Sequence, residues 1–454
     1  MNKNRWIRLY ACSLLAAILV SAIGSAASLR AGIAKADITP PPGILMWGYG
    51  GRKSPATGTL DPLEARVVVL DYGRTRVALV AVDLGRAFGP SSQAHLEELA
   101  RRSSAISAVL VAASHTHSGP VIMDAYAEGP PAWESAAIDK IGKAINQAAS
   151  SLVDARIGVG RGSCFIGYNR LVVGPNGRVK WLGSNPTEIP TSPVDPTVTV
   201  VRLDRADGTP LAILVNYACH PVVFGGDNLQ YSADYPAVMR RTVEETVDGH
   251  PLCLFLQGAP GDINPYHATT PLREDAVRWR DATGQQLGEE ASRVAKVIAT
   301  QPEATGALDY AEDDLQFHLR WDPEKFRQEL IHIFGPSSFE VFAPRIEPEF
   351  KLPVATLLIN KRVALMTMPG EPFVDFQIDW RNRCPAPDRL FLGYTNGYYG
   401  YFPTIAAAAR GGYGASGATT WLQVGAGEQM VNHALVRIYE MLGQLGSAPE
   451  QTQF

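Results

Sequence analysis

The sequence is poor in cysteine and has no large excess of charge of either sign. It contains 5 cysteines in 454 residues, and its charged side chains sum to a net charge of −4. This balance excludes the strongly basic surface that is typical of nucleic-acid-binding proteins. Cys164, Cys219, Cys253 and Cys384 lack the close paired spacing of a zinc ribbon. One or two disulfides could form among them in an oxidising compartment, with the pairing left open, although Cys253 lies in an apolar strand and fits a buried thiol better.

Long apolar segments are also lacking beyond the N-terminus, and none there could cross a bilayer. At the N-terminus itself, the basic stretch Met1–Arg8 is followed by the apolar run Cys12–Ile23 and the small residues Ser25–Ala27. This order is typical of a secretory signal peptide. We therefore expect residues 1–27 to be removed on export, to the periplasm or outside the cell. An uncleaved N-terminal anchor is the alternative, but the apolar run is short for a membrane span.

No repeat or low-complexity linker divides the rest of the chain, so residues 28–454 are expected to form one large domain. Pairs of β-rich runs joined by short turns predict antiparallel hairpins. These pairs are Arg66–Leu70 with Arg76–Val82, Thr197–Leu203 with Leu211–Tyr217, and Val354–Ile359 with Val363–Met368.

Helical patterns lie between these hairpins. They cover Trp133–Leu152, Arg273–Thr300 and Glu428–Leu445. A fourth predicted helix has Asp234 as its N-cap. Because hairpins and helices interleave, the predicted fold class is α/β, with mixed sheets flanked by helices. The proline-rich segments Pro186–Pro196 and Pro336–Pro353 predict long surface loops.

Several apolar strands end in polar segments that are rich in glycine and proline. These segments are Ser114–Pro120 after Ala108–Ala113, Cys219–Pro221 after Leu211–Ala218, Gln257–Pro265 after Leu252–Leu256, Pro369–Pro372 after Val363–Met368, and Asn396–Tyr401 after Leu390–Tyr394. The carboxyl ends of strands in α/β sheets are where ligands bind. Two of the segments carry histidines and one carries a glutamate, and these are ligand types of a catalytic zinc.

Each of these motifs has an ordinary explanation when it is taken alone. His115 and His117 would lie on one face of an extended segment, but they could equally be polar loop residues. His220 fits a satisfied core histidine, Glu371 fits a solvated turn, and the tyrosines of residues 398–401 fit surface packing. Their common position at strand ends favours a metal-dependent hydrolase.

The order of the motifs resembles the catalytic domain of the neutral, non-lysosomal ceramidases. The similar segments are Ala31–Pro40, Met46–Tyr49, His115–Pro120, Tyr168–Arg170, Gly258–Pro265 and Met368–Glu371. His115–Pro120 matches the most specific motif of that family. The similarity runs from about Ala31 to about Tyr413, which is most of the chain after the signal peptide.

The resemblance implies a zinc ion and assigns roles to individual residues. The implied zinc ligands are His115, His220, Glu371 and Tyr401; the implied catalytic residues are His117, Arg170 and Tyr413; the implied substrate-binding residues are Gly48 and Asn264. Tyr398 and Tyr399 compete with Tyr401 for the ligand role. Only Tyr401 precedes Tyr413 by the 12 positions expected in the family.

The resemblance also implies a reaction, the hydrolysis of the amide of ceramide or of a related N-acyl lipid to a fatty acid and an amine. Zinc would activate water and polarise the amide carbonyl. Arg170 and Tyr413, with His117, are suited to stabilising the developing oxyanion. His117 could instead protonate the leaving nitrogen, and both roles stay open. A lipid-like substrate further implies transient contact with a membrane surface.

The chain departs from the family pattern in three places. Asn264 replaces the serine of a Gly-Asp-Val-Ser-Pro loop, which excludes a serine nucleophile there and favours attack by water. Pro403–Ile405 and Ala406–Ala409 replace a Thr-Thr…Glu-Glu-Tyr stretch, so the rim of the substrate pocket should differ. The family's C-terminal immunoglobulin-like domain is also expected to be missing.

These departures keep two other hypotheses open. The altered stretch Pro403–Gly412 favours a zinc amidase or esterase that acts on a smaller, polar substrate. The substitution at Asn264 favours a secreted, non-catalytic binding protein, although the presence of every implied ligand opposes that hypothesis. The sequence leaves undecided the oligomeric state, the acyl-chain preference and the ligands of any second, structural cation.

Overall fold

The computed structural model describes residues 28–126, 128–301, 306–334 and 346–446. The predicted signal peptide lies outside these residues. The strands are β1 Arg30–Asp37, β2 Gly58–Thr59, β3 Glu64–Tyr72, β4 Thr75–Val82, β5 Ala108–Ala113, β6 Val153–Ser163, β7 Gly167–Asn169, β8 Leu171–Val173, β9 Val179–Trp181, β10 Thr197–Arg205, β11 Pro210–Tyr217, β12 Gln230–Tyr231, β13 Leu252–Gln257, β14 Ile263–Pro265, β15 Leu308–His318, β16 Glu349–Ile359, β17 Val363–Thr367, β18 Glu371–Pro372, β19 Asp388–Leu392 and β20 Tyr401–Phe402. The helices are α1 Pro90–Ser104, α2 Ala132–Ser150, α3 Tyr235–Thr246, α4 Ala276–Val297, α5 Pro323–Phe334, α6 Val374–Arg383, α7 Ile405–Arg410 and α8 Ala426–Met441.

Two mixed sheets organise the fold. The larger has 8 strands in the order β13-β11-β10-β6-β1-β3-β4-β5, and the smaller has 4 in the order β15-β16-β17-β19. All three predicted hairpins are confirmed as antiparallel pairs, β3 with β4, β10 with β11, and β16 with β17. The α/β class with mixed sheets is therefore confirmed, and the sheets belong to a single domain.

The three hairpins share one further feature, because each is extended by a parallel strand. A helix returns the chain from β4 to β5, from β11 to β13, and from β17 to β19. We call each group of hairpin, helix and parallel strand a unit. In every unit the two parallel strands end at the same edge, which is where the polar segments begin.

One core cluster joins the three units. Leu110 of β5, Leu254 of β13 and Leu365 of β17 belong to it and are at most 4% exposed. Burying a side chain of this size stabilises a fold by about 1.5–3 kcal/mol, so the contact between the units is strongly favoured. Helices α1 and α2 cover the outer side of the first unit, α3 and α4 that of the second, and α6 and α8 that of the third. The units thus pack inward on one another, and their strand ends meet.

The predicted helices are confirmed, with shifts of a few residues at their ends. Asp234 caps α3 as predicted, and its side chain accepts a hydrogen bond from the N–H of Tyr235. The predicted helix at Arg273 begins instead at Ala276, because Asp275 adopts a left-handed conformation with φ of 60° and separates α4 from a short 3₁₀ turn. None of the helices in the described ranges is both long and apolar enough to span a membrane.

The prediction of a loop over Pro336–Pro353 was wrong at its C-terminal end, and its first part lies outside the described residues. Glu349–Pro353 begins β16, where Phe350 and Leu352 alternate with exposed residues and face the core. Pro353 is tolerated because the pairing of β16 with β17 starts only at Thr356. Pro186–Pro196 is a loop, as predicted.

The disulfides that the sequence left possible do not form in the described part of the chain. Cys164, Cys219, Cys253 and Cys384 are all free and buried. Each thiol lies in an apolar environment, and burial raises the pKa of Cys253 to about 12. The interpretation of Cys253 as a plain buried thiol is confirmed.

Candidate active site

His115 and His220 follow β5 and β11 and are at most 1% exposed. The Nδ1 of His115 lies against the carbonyl of Gly85, and that of His220 lies 3.0 Å from the carbonyl of Ile263. A carbonyl can only accept, so Nδ1 carries the proton in both rings. Nε2 of each ring then presents a lone pair, which is the tautomer of a histidine that binds a metal through Nε2.

Glu371 completes a buried cluster with these two histidines. Its Oε2 lies 3.2 Å from His220 Nε2 and 3.4 Å from His115 Nε2. The hydroxyl of Tyr398 donates to Oε1, and that of Tyr394 donates to Oε2 at 3.3 Å. Burial raises the pKa of Glu371, but the charge and hydrogen bonds that His115 and His220 supply when they carry a proton on Nε2 outweigh it and hold the pKa well below its usual range. A positive charge between the imidazoles and the carboxylate therefore keeps Glu371 ionised.

The geometry of this cluster, which we call the inner cluster (His115, His220 and Glu371), fits a tetrahedral metal ion. Two lone pairs and a carboxylate oxygen face one another in a buried space, and such a set is unfavourable without a cation or protons between them. Two ligand atoms that each lie about 2.1 Å from a tetrahedral ion are about 3.4 Å apart. The distances of 3.2 and 3.4 Å from Glu371 Oε2 to the two imidazoles match this value.

His117 lies beside the inner cluster. Its Nε2 is 3.2 Å from His115 Nε2, and the ligand atoms of His115, His117 and His220 all lie within 4.8 Å of one another. Burial and the neighbouring histidines lower the pKa of His117 well below its usual range, so the ring is neutral at pH 7. Unlike the inner cluster, His117 also lines a cavity, and its Nδ1 has no hydrogen-bond partner among the described residues.

Arg170 also lines that cavity. Its guanidinium donates to Asn264 Oδ1 at 2.9 Å, to the carbonyl of Gly261 at 2.7 Å, and to the hydroxyl of Tyr401 at 2.9 Å. It also lies 4.8 Å from the ring of Trp181 and 5.3 Å from that of Tyr413. Asn264 therefore orients Arg170. The amide oxygen of Asn264 accepts a hydrogen bond at the position where the family pattern has the hydroxyl of a serine.

The cavity has a volume of about 710 Å³ and opens to solvent. All the residues to which the resemblance gave catalytic or substrate roles line it: Gly48, His117, Arg170, Asn264 and Tyr413, together with the proposed ligand Tyr401. We call this set without Tyr401 the cavity wall. Tyr413 stands at the mouth, 48% exposed, with its ring 5.5 Å from that of Tyr401.

Gly48 makes the closest backbone approach in this wall. Its φ is +105°, and a Cβ at this position would lie 2.3 Å from Cγ of His117. Arg52 fixes the approach, because it donates to the carbonyls of Trp47 at 3.0 Å and of His117 at 2.8 Å. Only glycine fits between the loop and the imidazole ring.

The tyrosines after β19 divide into two groups. Tyr401 pairs in register with Glu371 through β20 and β18, yet its hydroxyl contacts Arg170. Tyr398 donates to Glu371 instead. Tyr398 was expected only as a competing ligand, and no sequence motif pointed to Tyr394, Trp181 or Arg52. Strand periodicity gives no signal for these side chains, since the contacts that matter here join them to residues outside their own strands.

Comparison with known proteins identifies the family. Residues 29–270 match the profile of "neutral/alkaline non-lysosomal ceramidase, N-terminal", which is more than half of the chain. No curated protein matches the chain. The crystal structure of neutral ceramidase from Pseudomonas aeruginosa is similar over 94% of this chain and 76% of that one, with a TM-score of 0.73 and 18% identity. A ceramidase complexed with C2 gives the same TM-score and identity, with 94% and 77% coverage.

The fold and the site thus define an α/β amide hydrolase with a buried group of residues that suits a metal ion. The chain belongs to the neutral/alkaline non-lysosomal ceramidase family. The resemblance seen in the sequence motifs is confirmed, and the matched profile covers His115, His117, Arg170, His220 and Asn264.

Proposed function

We propose that this chain is a zinc-dependent enzyme that hydrolyses the amide bond of ceramide, or of a related N-acyl lipid, to a fatty acid and an amine. One observation carries the proposal. The metal-binding atoms of His115, His220 and Glu371 converge directly behind a cavity that His117 and Arg170 line. Family membership supports the same reaction class.

The inner cluster would hold the zinc ion, with Tyr401 as the fourth protein ligand. When bound, zinc supplies a Lewis acid that activates a water molecule and polarises the amide carbonyl. Tyr401 would have to turn its hydroxyl from Arg170 toward Glu371, its neighbour in the β18–β20 pair. His117 is the competing fourth ligand, because its Nε2 already lies in the group of imidazoles.

The cavity wall would act on the substrate. Arg170 and Tyr413 would donate hydrogen bonds to the carbonyl oxygen as negative charge develops on it, and one such donor contributes about 2.7–4 kcal/mol to transition-state stabilisation. The neutral ring of His117, which lines the cavity, would accept the proton that the attacking water loses and pass it to the leaving nitrogen. Asn264 keeps Arg170 in place through the bond to Nη1.

A smaller, polar substrate is the second candidate. Arg52 and Arg170 both line the cavity, and no acidic side chain is among its described lining residues. A substrate with an anionic group next to the amide, such as a short N-acyl amino acid, would be attracted by this charge.

The test is the release of fatty acid from a long-chain ceramide by the purified protein without residues 1–27. Protein stripped with a chelator is compared with the same protein after zinc is returned, and a short N-acyl amino acid is assayed beside the ceramide. Ceramide turnover that disappears and returns with zinc supports the proposal. Zinc-dependent turnover of the short substrate alone would assign the second function.

We also propose that the protein is exported, because Met1–Ala27 has the composition of a signal peptide. N-terminal sequencing of the protein recovered from the periplasm or medium should find a start close to Ser28. Recovery of the full-length chain in the membrane fraction would contradict cleavage.

A further inference from the structure

The hairpin of β8 and β9 borders the mouth of the cavity. Arg170 directly precedes β8, and Trp181 at the end of β9 lines the cavity, with its ring 4.8 Å from that of Tyr413. A Cβ on Gly412 would lie 2.8 Å from Cγ1 of Val179 in β9. The hairpin and the segment around Tyr413 therefore form one continuous surface. We call residues 171–184 and 403–418 the rim surface.

Large apolar side chains are exposed on both parts of the rim surface. On the hairpin, Val172 is 37%, Val173 47% and Trp181 42% exposed. On the other part, Ile405 is 54% and Tyr413 48% exposed. A single exposed apolar residue needs no explanation, but a group beside the opening of a binding cavity marks an interaction surface.

The charge of the rim surface has one sign. Residues 171–184 contain Arg178 and Lys180 and no acidic residue, and residues 403–418 contain Arg410 and no acidic residue. Arg410 lies close to Asp375, so the free positive charge comes from the exposed Arg178 and Lys180 on the hairpin. This local charge contrasts with the net charge of −4 of the whole chain. Exposed apolar side chains with flanking cations match the chemistry of an anionic bilayer surface.

We propose that the rim surface docks the enzyme on an anionic lipid bilayer, with Val172, Val173 and Trp181 inserted at the headgroup level. The mouth of the cavity then faces the bilayer, and a lipid can pass into the cavity along Trp181 and Tyr413 without crossing water. The passage of a lipid into the cavity rests on the proposed function. The docking itself does not, because it depends only on the exposed side chains and the charge of the rim surface.

Vesicle sedimentation tests the docking without any substrate. The protein lacking residues 1–27 is mixed with phosphatidylcholine vesicles, with or without about 30 mol % phosphatidylglycerol. We expect binding to the anionic vesicles that weakens at high salt. The double variant Val172→Glu/Val173→Glu should bind at least tenfold more weakly, and Arg178→Ala/Lys180→Ala should lose roughly 30-fold on anionic vesicles only. Val297→Glu is the matched control, because Val297 is 74% exposed and is the last residue of α4, outside the rim surface.

Three results would overturn the proposal. In the first, the wild type sediments with neither kind of vesicle. In the second, the wild type and the double valine variant bind vesicles equally well, and in the third that variant changes from dimer to monomer while its vesicle binding stays the same. The last result would assign the surface to a second copy of the chain. Circular dichroism spectra confirm that each variant is folded. Vesicle binding by a protein that does not hydrolyse ceramide would leave the docking intact and reject only the proposed function.

Discussion

The inner cluster and the cavity wall lie within a few ångströms of each other, yet they are built differently. His115, His220 and Glu371 are at most 3% exposed, and backbone carbonyls or tyrosine hydroxyls fix their orientations. In the cavity wall, Nδ1 of His117 has no hydrogen-bond partner in the part of the chain that the structure describes, and Tyr413 is 48% exposed. A group whose hydrogen bonds are satisfied by the protein suits a fixed ligand, whereas one with free donors suits a partner that comes and goes. The comparison therefore predicts that the two sets fail in different ways.

The largest effect is expected in the inner cluster. Replacing His115 or His220 with Ala removes one lone pair and leaves Glu371 with a single histidine, so zinc should be lost and activity should fall to the background of the assay. Zinc content is measured by mass spectrometry and activity by fatty acid release. His95→Ala is the control, since His95 is exposed on α1. An active variant without zinc would reject the metal assignment.

His117→Ala should separate the two sets. If His117 acts on the substrate, the variant keeps its zinc while turnover falls by about 100-fold to 10,000-fold, the usual range for a lost general acid or base. The same two measurements apply. Loss of zinc in this variant would make His117 the fourth ligand and would leave Tyr401 as a partner of Arg170 only.

A methyl group at Gly48 tests the wall without changing any polar group. In Gly48→Ala the new Cβ would strike the His117 ring, and Arg52 prevents the loop from moving away, so the imidazole must shift. A displacement of about 1 Å at a reacting group can reduce turnover by about 100-fold. Zinc content should stay unchanged.

Gly43→Ala is the matched control for this experiment. Gly43 has a similar φ of +98°, but nothing lies within 4 Å of its added Cβ. Both variants therefore carry the same kind of backbone strain, and only one carries the contact with His117. Equal loss of activity in the two would show that strain, and not the position of His117, is responsible.

The sequence predicted the members of both sets better than their arrangement. Strand ends such as Ala108–Ala113 before His115 are short-range patterns, and the structure confirms this strand with the same bounds. The shared plan of three units escaped detection, because strand pairing and not similar sequence defines it. The contact of His220 with Glu371 joins residues 151 positions apart, and only the packing of the units creates it.

The tyrosines also show that the sequence predicts which residues belong to the site better than it predicts their contacts. Tyr398 and Tyr401 are three positions apart on a segment without regular structure until β20 begins. Gly400 between them has a φ of +72°, so the usual alternation of side chains does not apply. Sequence spacing from Tyr413 could select Tyr401, but it could not show that Tyr398 reaches the Glu371 carboxylate.

The smallest effect, a change in zinc affinity, is expected from a substitution at Tyr398. Tyr398→Phe removes the hydroxyl that orients Glu371 Oε1 and keeps the ring, which packs against Trp47 with a centroid distance of 5.2 Å. Loss of a hydrogen bond to a metal-binding carboxylate typically weakens metal affinity by about 10-fold to 100-fold, and we expect the lower end because Tyr394 still donates to Oε2. Competition with a fluorescent zinc chelator measures the affinity. Tyr399→Phe is the control, since the hydroxyl of Tyr399 donates to the carbonyl of Lys351, at 3.4 Å. If Tyr398→Phe binds zinc as tightly as the control does, Tyr398 serves to pack the rings around the site and the rigidity of the inner cluster comes from the histidines alone.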